Sequence, residues 1–206
     1  MHPQIVTESE ERSHLQEVRA RIKAGIDQAS SLVDDQFRNL IELKKHLSEH
    51  KADMDHVEKA SVRQTVDELG AVGDHSALGV LRLKKLVKSP YFGRLDFRTN
   101  GDAHGKLVYI GIHSFYDSAT AAHLVHDWRA PISSMFYDFE QGSATYRAPA
   151  GVVHGQILRK QQYRVEDGEL VFMLESSLNI HDNVLQEELS RASSDKMRNI
   201  VATIQR

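Results

Sequence analysis

Apolar and small side chains recur at steps of three and four from Leu15 through Val18, Ile22, Ile26, Ala29, Val33, Phe37, Leu40, Leu43 and Leu47. That spacing places them on one stripe of an α-helix. Thr7 followed by Glu10 has the form of a capping box and predicts where the helix begins. A helix from about Thr7 to Glu49 would be roughly 60 Å long at ~1.5 Å per residue, too long for a compact domain of this size, and so is expected to project. The polar stretch Glu49–Asp55 interrupts the stripe and predicts a turn. A second stripe follows at Val62, Val66, Leu69, Val72 or Gly73, Ser76, Val80, Leu83 and Val87. Two such helices can zip together antiparallel, as in a coiled coil. Gly70, Gly73 and Gly79 weaken the second helix by up to ~1 kcal/mol each relative to alanine, and either admit a close neighbour or mark a bend.

Ser89-Pro90 predicts the end of the second helix, because the residue before a proline avoids the α region. Strand patterning takes over beyond it. Tyr91–Phe97 alternates, Lys106–Phe115 is rich in β-branched and aromatic residues, and Thr99-Asn100-Gly101-Asp102 between them predicts a hairpin turn. Ile132–Phe139, Ala144–Arg147, Val152–Val165 and Leu170–Leu174 read as further strands, with Asp167-Gly168 as a turn between the last two. Ala119–Val125 reads as a short helix or a connecting turn. From Asp182 to Gln205 a helical pattern returns, with a division and an N-cap at Ser193-Ser194-Asp195. The expected class is therefore α+β: a long antiparallel α-helical hairpin or coiled-coil arm (residues 1–88), an antiparallel β-rich module (89–175), and C-terminal helices (176–206).

Composition narrows the chemistry. A formal net charge of −3 argues against bulk coating of DNA, and the absence of cysteine excludes disulfides, cysteine-based zinc ribbons and cysteine nucleophiles. No apolar run approaches the ~20 residues that span a membrane, and Met1-His2-Pro3-Gln4 does not resemble a signal peptide, so a cytoplasmic protein is expected. Gly101-Asp102-Ala103-His104-Gly105-Lys106-Leu107 falls short of a phosphate-binding P-loop, with three residues between its glycines and no hydroxyl after its lysine. Twelve histidines raise the question of a metal site, with His46 and His50 one helical turn apart and His123, His126 and Asp127 in a second group. The glutamate of an H-E-x-x-H motif is missing, and exposed polar histidines account for both groups, so no metal site is assigned.

Two stretches hold candidate interaction residues. Asp127-Trp128-Arg129-Ala130-Pro131 carries the single tryptophan between opposite charges. It reads as a buried ring with an ion pair fixing the entry to the next element, and alternatively places Arg129 against a phosphate or a partner carboxylate. The predicted tip of the hairpin carries Glu49, Lys51, Asp53, Asp55 and Glu58. It reads as a solvated turn, or as an acidic end that acts near a metal ion inside a partner.

From residue 89 onward the chain resembles the N-terminal part of HelD-type proteins, UvrD-like superfamily 1 helicase-related ATPases that bind bacterial RNA polymerase. The resemblance is carried by Ser89-Pro90-Tyr91-Phe92-Gly93-Arg94-Leu95-Asp96-Phe97, Tyr109-Ile110-Gly111-Ile112, Asp127–Ser134 with Tyr137-Asp138, Gly155–Tyr163, Leu185-Gln186 and Lys196–Gln205. Residues 1–88 match in position and helical character more than in identity. The resemblance implies an arm that inserts into the polymerase secondary channel, in a protein whose ATP-driven motor helps release nucleic acid and recycle stalled polymerase. It marks Tyr91, Phe92, Gly93, Arg94, Asp127, Trp128, Arg129 and Pro131 as family-motif residues.

Family members continue into a glutamine motif and a P-loop, and this chain stops at Arg206 before both. The expectation is a non-catalytic module with no cofactor of its own, ATP and Mg²⁺ belonging to the parent family. The implied partners are core RNA polymerase, the missing motor domains, and DNA through the full-length parent, with no membrane. The alternatives are a fragment of an ATP-dependent DNA helicase acting in repair or recombination, and a structural coiled-coil interaction protein.

Overall fold

The computed structural model describes residues 7–50 and 54–175. Helix α1 spans Glu8–His50 and α2 spans His56–Leu86. Strands β1 (Gly93–Thr99), β2 (Lys106–Gly111), β3 (Phe115–Asp117) and β4 (Ala122–Asp127) follow, then helix α3 (Pro131–Asp138). Strands β5 (Gly142–Ala148), β6 (Gly151–Glu166) and β7 (Glu169–Glu175) complete the described elements. The chain divides into two compact units, one of Met1–Ile22 with Lys85–Arg206 and the other of Lys23–Lys84. The first turns of α1 therefore belong with the sheet. The expected helices between Asp182 and Gln205 lie outside the described residues.

The capping box forms as its spacing requires. Thr7 N–H donates to Glu10 Oε2 at 2.8 Å and Glu10 N–H donates to Thr7 Oγ1 at 3.3 Å, so two donors that the helix leaves open are satisfied reciprocally. In the second unit most of the predicted stripe positions are shielded: Leu40 and Val80 are buried, and Val33, Leu43, Leu47, Val62, Val66, Leu69 and Leu83 half-buried, while Phe37, expected on the stripe, is exposed. Gly73, not Val72, completes the α2 stripe. Gly73 is buried with the Phe37 ring 3.9 Å from where a Cβ would stand, while Val72 is half exposed. At that distance a methyl group would make an ordinary contact, so the position is small without being confined to glycine.

The sheet has seven strands in the order β3-β4-β2-β1-β6-β5, with β7 also paired to β6. It is mixed, which corrects the expected antiparallel module: β2 and β4 run parallel, with Ile110 opposite His126. The cause lies in the route of the chain. It leaves β2, passes to the outer edge to form β3, and returns through a turn to fill the slot between them, pairing antiparallel with β3 and parallel with β2. Lys106–Phe115 is accordingly two strands. Within Ala119–Val125, expected to be a short helix or a turn, only the residues up to Ala121 turn, and Ala122–Val125 is already β4: Asp117 accepts hydrogen bonds from Ala119 N–H and Thr120 Oγ1, which holds the chain bent before it re-enters the sheet.

Ile132–Phe139, expected to be a strand, is helix α3. Pro131 at the start of α3 fixes φ near the helical value. Ile132, Met135 and Phe136 then fall on one helical face and are buried. A run this short fits either period, and only the sheet beneath it selects the helix. Lys160, itself buried, donates to Phe139 O just past the C-terminus at 2.6 Å. A cation there complements the helix dipole.

The two faces of the sheet differ chemically. Leu95, Phe97, Val108, Ile110 and Ile157 join Ile132, Met135 and Phe136 of α3 in one apolar core. The alternate positions Arg94, Tyr109, Gln161 and Tyr163 point the other way, toward the first turns of α1. Arg19 of α1 fastens this side further. Its Nε donates to Val87 O at 3.1 Å and its Nη1 to Gly168 O at 2.9 Å. Asp167 and Gly168 take φ of 47° and 89°, as the predicted two-residue hairpin turn demands.

Gly168→Ala tests this fastening. A Cβ at this residue would stand 1.9 Å from Arg19 Cζ, at a φ that an L side chain rarely adopts. The expected loss is about 1–3 kcal/mol, a fall in Tm of several degrees by differential scanning calorimetry; an unchanged Tm would show that Arg19 bears no load.

Candidate functional site

Among the described residues, the family-motif side chains Tyr91, Phe92, Arg94, Asp127, Trp128 and Arg129 lie at two places in the sheet unit, and those of the predicted tip lie in the helical unit; Leu185-Gln186 and Lys196–Gln205 lie outside the described residues. The deepest place is a charge cluster on the α1 face of the sheet. Glu11 is fully buried there. Its Oε1 accepts from Tyr91 Oη at 2.8 Å, and its Oε2 accepts from Tyr163 Oη at 3.0 Å, Arg94 Nη1 at 3.1 Å and Tyr109 Oη at 3.2 Å. Arg94 turns its other edge to Asp96, with Nε to Oδ1 at 2.8 Å and Nη2 to Oδ2 at 3.2 Å. The planar fork of arginine is what allows both carboxylates to be served at once.

Burial, followed by the charge of Glu11, pushes the phenols of Tyr91 and Tyr109 well above the ordinary tyrosine range, and the same causes act on Tyr163. All three therefore remain protonated donors. For Arg94, burial opposes its charge, and the surrounding Tyr163, Tyr109 and Asp96 oxygens outweigh it, so its pKa is raised.

Strand alternation and the helix period converge on this cluster. Arg94 and Asp96 share one face of β1, Tyr109 lies opposite Arg94 on β2, and Tyr163 comes from β6. Glu11 sits four residues before Leu15 and eleven before Ile22, which places it on the buried stripe of α1. Sequence inspection missed it as one of three acids in the first turn. The signal was available, since a charge at a stripe position that is otherwise apolar calls for a buried partner.

His14, one turn on, stacks on Tyr109 with ring centroids 4.3 Å apart. Its Nε2 is buried with no hydrogen-bond partner among the described residues. Burial pushes its pKa below the ordinary histidine value, against the pull of Glu11 and Glu17.

The second place is the junction from β4 to α3. Asp127 holds Arg129 with both oxygens, accepting from Nε at 2.9 Å and Nη2 at 2.8 Å, and also accepts Arg129 N–H at 2.9 Å. Burial alone would raise the Asp127 pKa, and these bonds to Arg129 more than offset it. The Arg129 side chain remains 66% exposed. It is thus a guanidinium held flat by one carboxylate, with its outer side in water. Trp128 donates its backbone N–H to Gly111 O at 2.9 Å, and its ring packs on the apolar core. Phe92 and Gly93 belong to the same core side: Phe92 sets its ring edge-on to Phe136, and a Cβ on Gly93 would stand 2.6 Å from the Phe136 ring. Pro131 opens α3.

In the helical unit, Glu49 forms an exposed ion pair with Lys45 at 3.8 Å. Asp55 and Glu58 form a second capping box: Glu58 N–H donates to Asp55 Oδ1 at 2.8 Å, and Asp55 N–H donates to Glu58 Oε2 at 3.2 Å. Both acids thus start α2, whatever else they contact. Lys51 and Asp53 lie outside the described residues. Gly101–Gly105 is the link from β1 to β2, with Gly101 at φ 97° and Asp102 N–H donating to Thr99 O. Among the described residues no three histidine, aspartate or glutamate side chains converge as a metal site, and no helix is long and apolar enough to cross a membrane.

The buried cluster can hold α1 to the sheet in one orientation; it presents no group to a substrate. Residues 8–191 match the family model described as the DNA helicase IV HelD N-terminal domain. No curated protein matches the chain.

Glu11→Ala takes the shared acceptor from Tyr91, Tyr109 and Tyr163 and one of the two carboxylates from Arg94, and is expected to cost about 3–5 kcal/mol. Tyr109→Phe, which removes one donor, is expected to cost about 1 kcal/mol. Urea unfolding followed by Trp128 fluorescence measures both, and equal effects would refute the ranking. Stability also depends on pH. The His126 pKa is pushed down to about 4 by burial, with Lys106 and His123 adding to it, and His14 is lowered as well. The unfolded chain takes up these protons at about pH 6.5, so the stability they contribute is intact above that value and lost as pH falls toward about 4. His126→Asn is expected to flatten that part of the profile, and a profile unchanged by it would remove His126 as a cause.

Proposed function

The chain belongs to the family of HelD N-terminal domains, and on that premise we propose that it is the non-catalytic RNA polymerase-docking module of a HelD-like ATP-dependent motor. The family match over residues 8–191 carries this reading. In it, α1 and α2 run as an antiparallel hairpin, a coiled-coil arm that enters the secondary channel of core RNA polymerase. The helical unit Lys23–Lys84 is consistent with such an arm: its stripe positions are mostly buried or half-buried, the Phe37 ring lies beside Gly73, and its outer positions are largely polar or charged. A rod of two helices is narrow enough for a channel, and its charged end suits an environment of ions and nucleic acid.

The sheet unit would anchor the arm. Glu11 and Arg94 tie the first turns of α1 to three strands, so a load applied along α1 reaches the sheet through buried, charge-assisted bonds rather than through a loop. ATP and Mg²⁺ would act in the motor of the parent protein, with this module contributing position and no chemical step.

A second reading follows from the words DNA helicase in the family description. In that reading the module serves a motor that acts on DNA, and the exposed face of Arg129 is where a phosphate would be met.

Pull-down with core RNA polymerase distinguishes the two. The whole chain is expected to be retained, and a chain lacking residues 30–70 to be lost. Glu49→Lys removes only an exposed ion pair, worth at most about 1 kcal/mol, and is expected to weaken retention without changing Tm. Equal retention of all three sinks the role of the arm. Binding of DNA with no binding of polymerase transfers support to the second reading.

A further inference from the structure

Two histidines of α1 lie outside both readings. His46 and His50 are one turn apart on one face of the helix, both exposed, with ring centroids 4.5 Å apart and planes inclined by 33°. His50 Nδ1 lies 3.2 Å from His46 O. A carbonyl oxygen only accepts, so this contact favours the neutral tautomer with the proton on Nδ1, which leaves the lone pair on Nε2. A carbonyl that fixes the tautomer and aims the opposite nitrogen outward is the usual support of a metal-binding imidazole.

From this geometry we propose that His46 and His50 form a two-histidine site for a divalent transition cation such as Zn²⁺ or Ni²⁺. Imidazole nitrogen suits these ions, and each would sit ~2.0–2.1 Å from zinc. The local charge does not oppose a cation: Lys45 is paired with Glu49 at 3.8 Å, and Glu42 lies one turn before His46 on the same side. With no third protein ligand converging among the described residues, the remaining positions belong to water or to a carboxylate or imidazole of another molecule. The other histidine pair is less suited. His123 and His126 are 5.3 Å apart, and His126 is half-buried beside the cation of Lys106.

Calorimetric titration of the whole chain with Zn²⁺, and separately with Ni²⁺, tests the site. Alanine favours helix, so His46→Ala and His50→Ala leave α1 intact. Each is expected to weaken binding by at least about tenfold, the lower end of what losing even an orienting partner costs a metal site. Adding Glu42→His to the His50→Ala chain recreates the same spacing one turn earlier and is expected to restore binding. His123→Asn with His126→Asn is expected to leave it unchanged. Wild-type affinity in both alanine variants, absence of binding by the unaltered chain, or loss only in the His123/His126 variant would overturn the proposal.

Discussion

A carboxylate with no access to water organises the sheet unit. Glu11 would be strongly unfavourable in that position by itself, because desolvation of an ion in a protein interior costs several kcal/mol. It is held because four donors from different parts of the chain converge on it: Tyr91 ahead of β1, Arg94 within β1, Tyr109 from β2 and Tyr163 from β6. Each of those groups is in turn a buried polar side chain that needs an acceptor. Asp96 serves one edge of Arg94 and Gln161 accepts from Tyr163 within the sheet, and the remaining bonds form only when α1 lies on the sheet with Glu11 inward. Apolar contacts at Leu15, Val18 and Ile22 favour burial of that stripe, while the charge cluster selects its rotation and register.

The opposite face of the sheet follows different physics. There Leu95, Phe97, Val108, Ile110 and Ile157 meet α3 through shape alone, and glycines admit rings at close range, as Gly93 admits Phe136. Strand alternation separates the two faces, so a single strand such as β1 delivers Arg94 and Asp96 to one and Leu95 and Phe97 to the other. The Asp127–Pro131 junction serves the apolar side: Trp128 covers the core, Pro131 starts the covering helix, and the Asp127–Arg129 pair fixes the bend between them. Much of the described part of the family motif is thereby explained as packing and positioning, and Arg129 is a charged motif side chain that faces solvent.

The two long helices and the cap of the first were legible because their determinants are local. Thr7 and Glu10 are three residues apart, and the stripe of α1 repeats over ten residues with no proline to interrupt it. The Asp167-Gly168 turn was legible for the same reason, since two adjacent positive φ values favour those residue types. Ile132–Phe139 was misread because eight residues of mixed apolar and polar character fit either period. Asp55 and Glu58 were noticed only as charges, although their spacing of three is that of the Thr7–Glu10 capping box. Glu11 was overlooked because an acid in the first turn of a helix has a sufficient local reason to be there, its favourable interaction with the helix dipole.

By itself, then, the sequence determined a long helical segment, a following sheet, and the family to which both belong, since periodicity, caps and ordered motifs act over a few residues at a time. The tertiary structure decided which side of each strand is polar and what that polarity is for. It made the sheet mixed rather than antiparallel by sending β3 to the edge before β4 returned. It also joined Glu11 to Tyr163, 152 residues away, through a 3.0 Å hydrogen bond. Such a pairing has no local signature. The stability of a buried charge depends on groups that only the completed fold brings within reach.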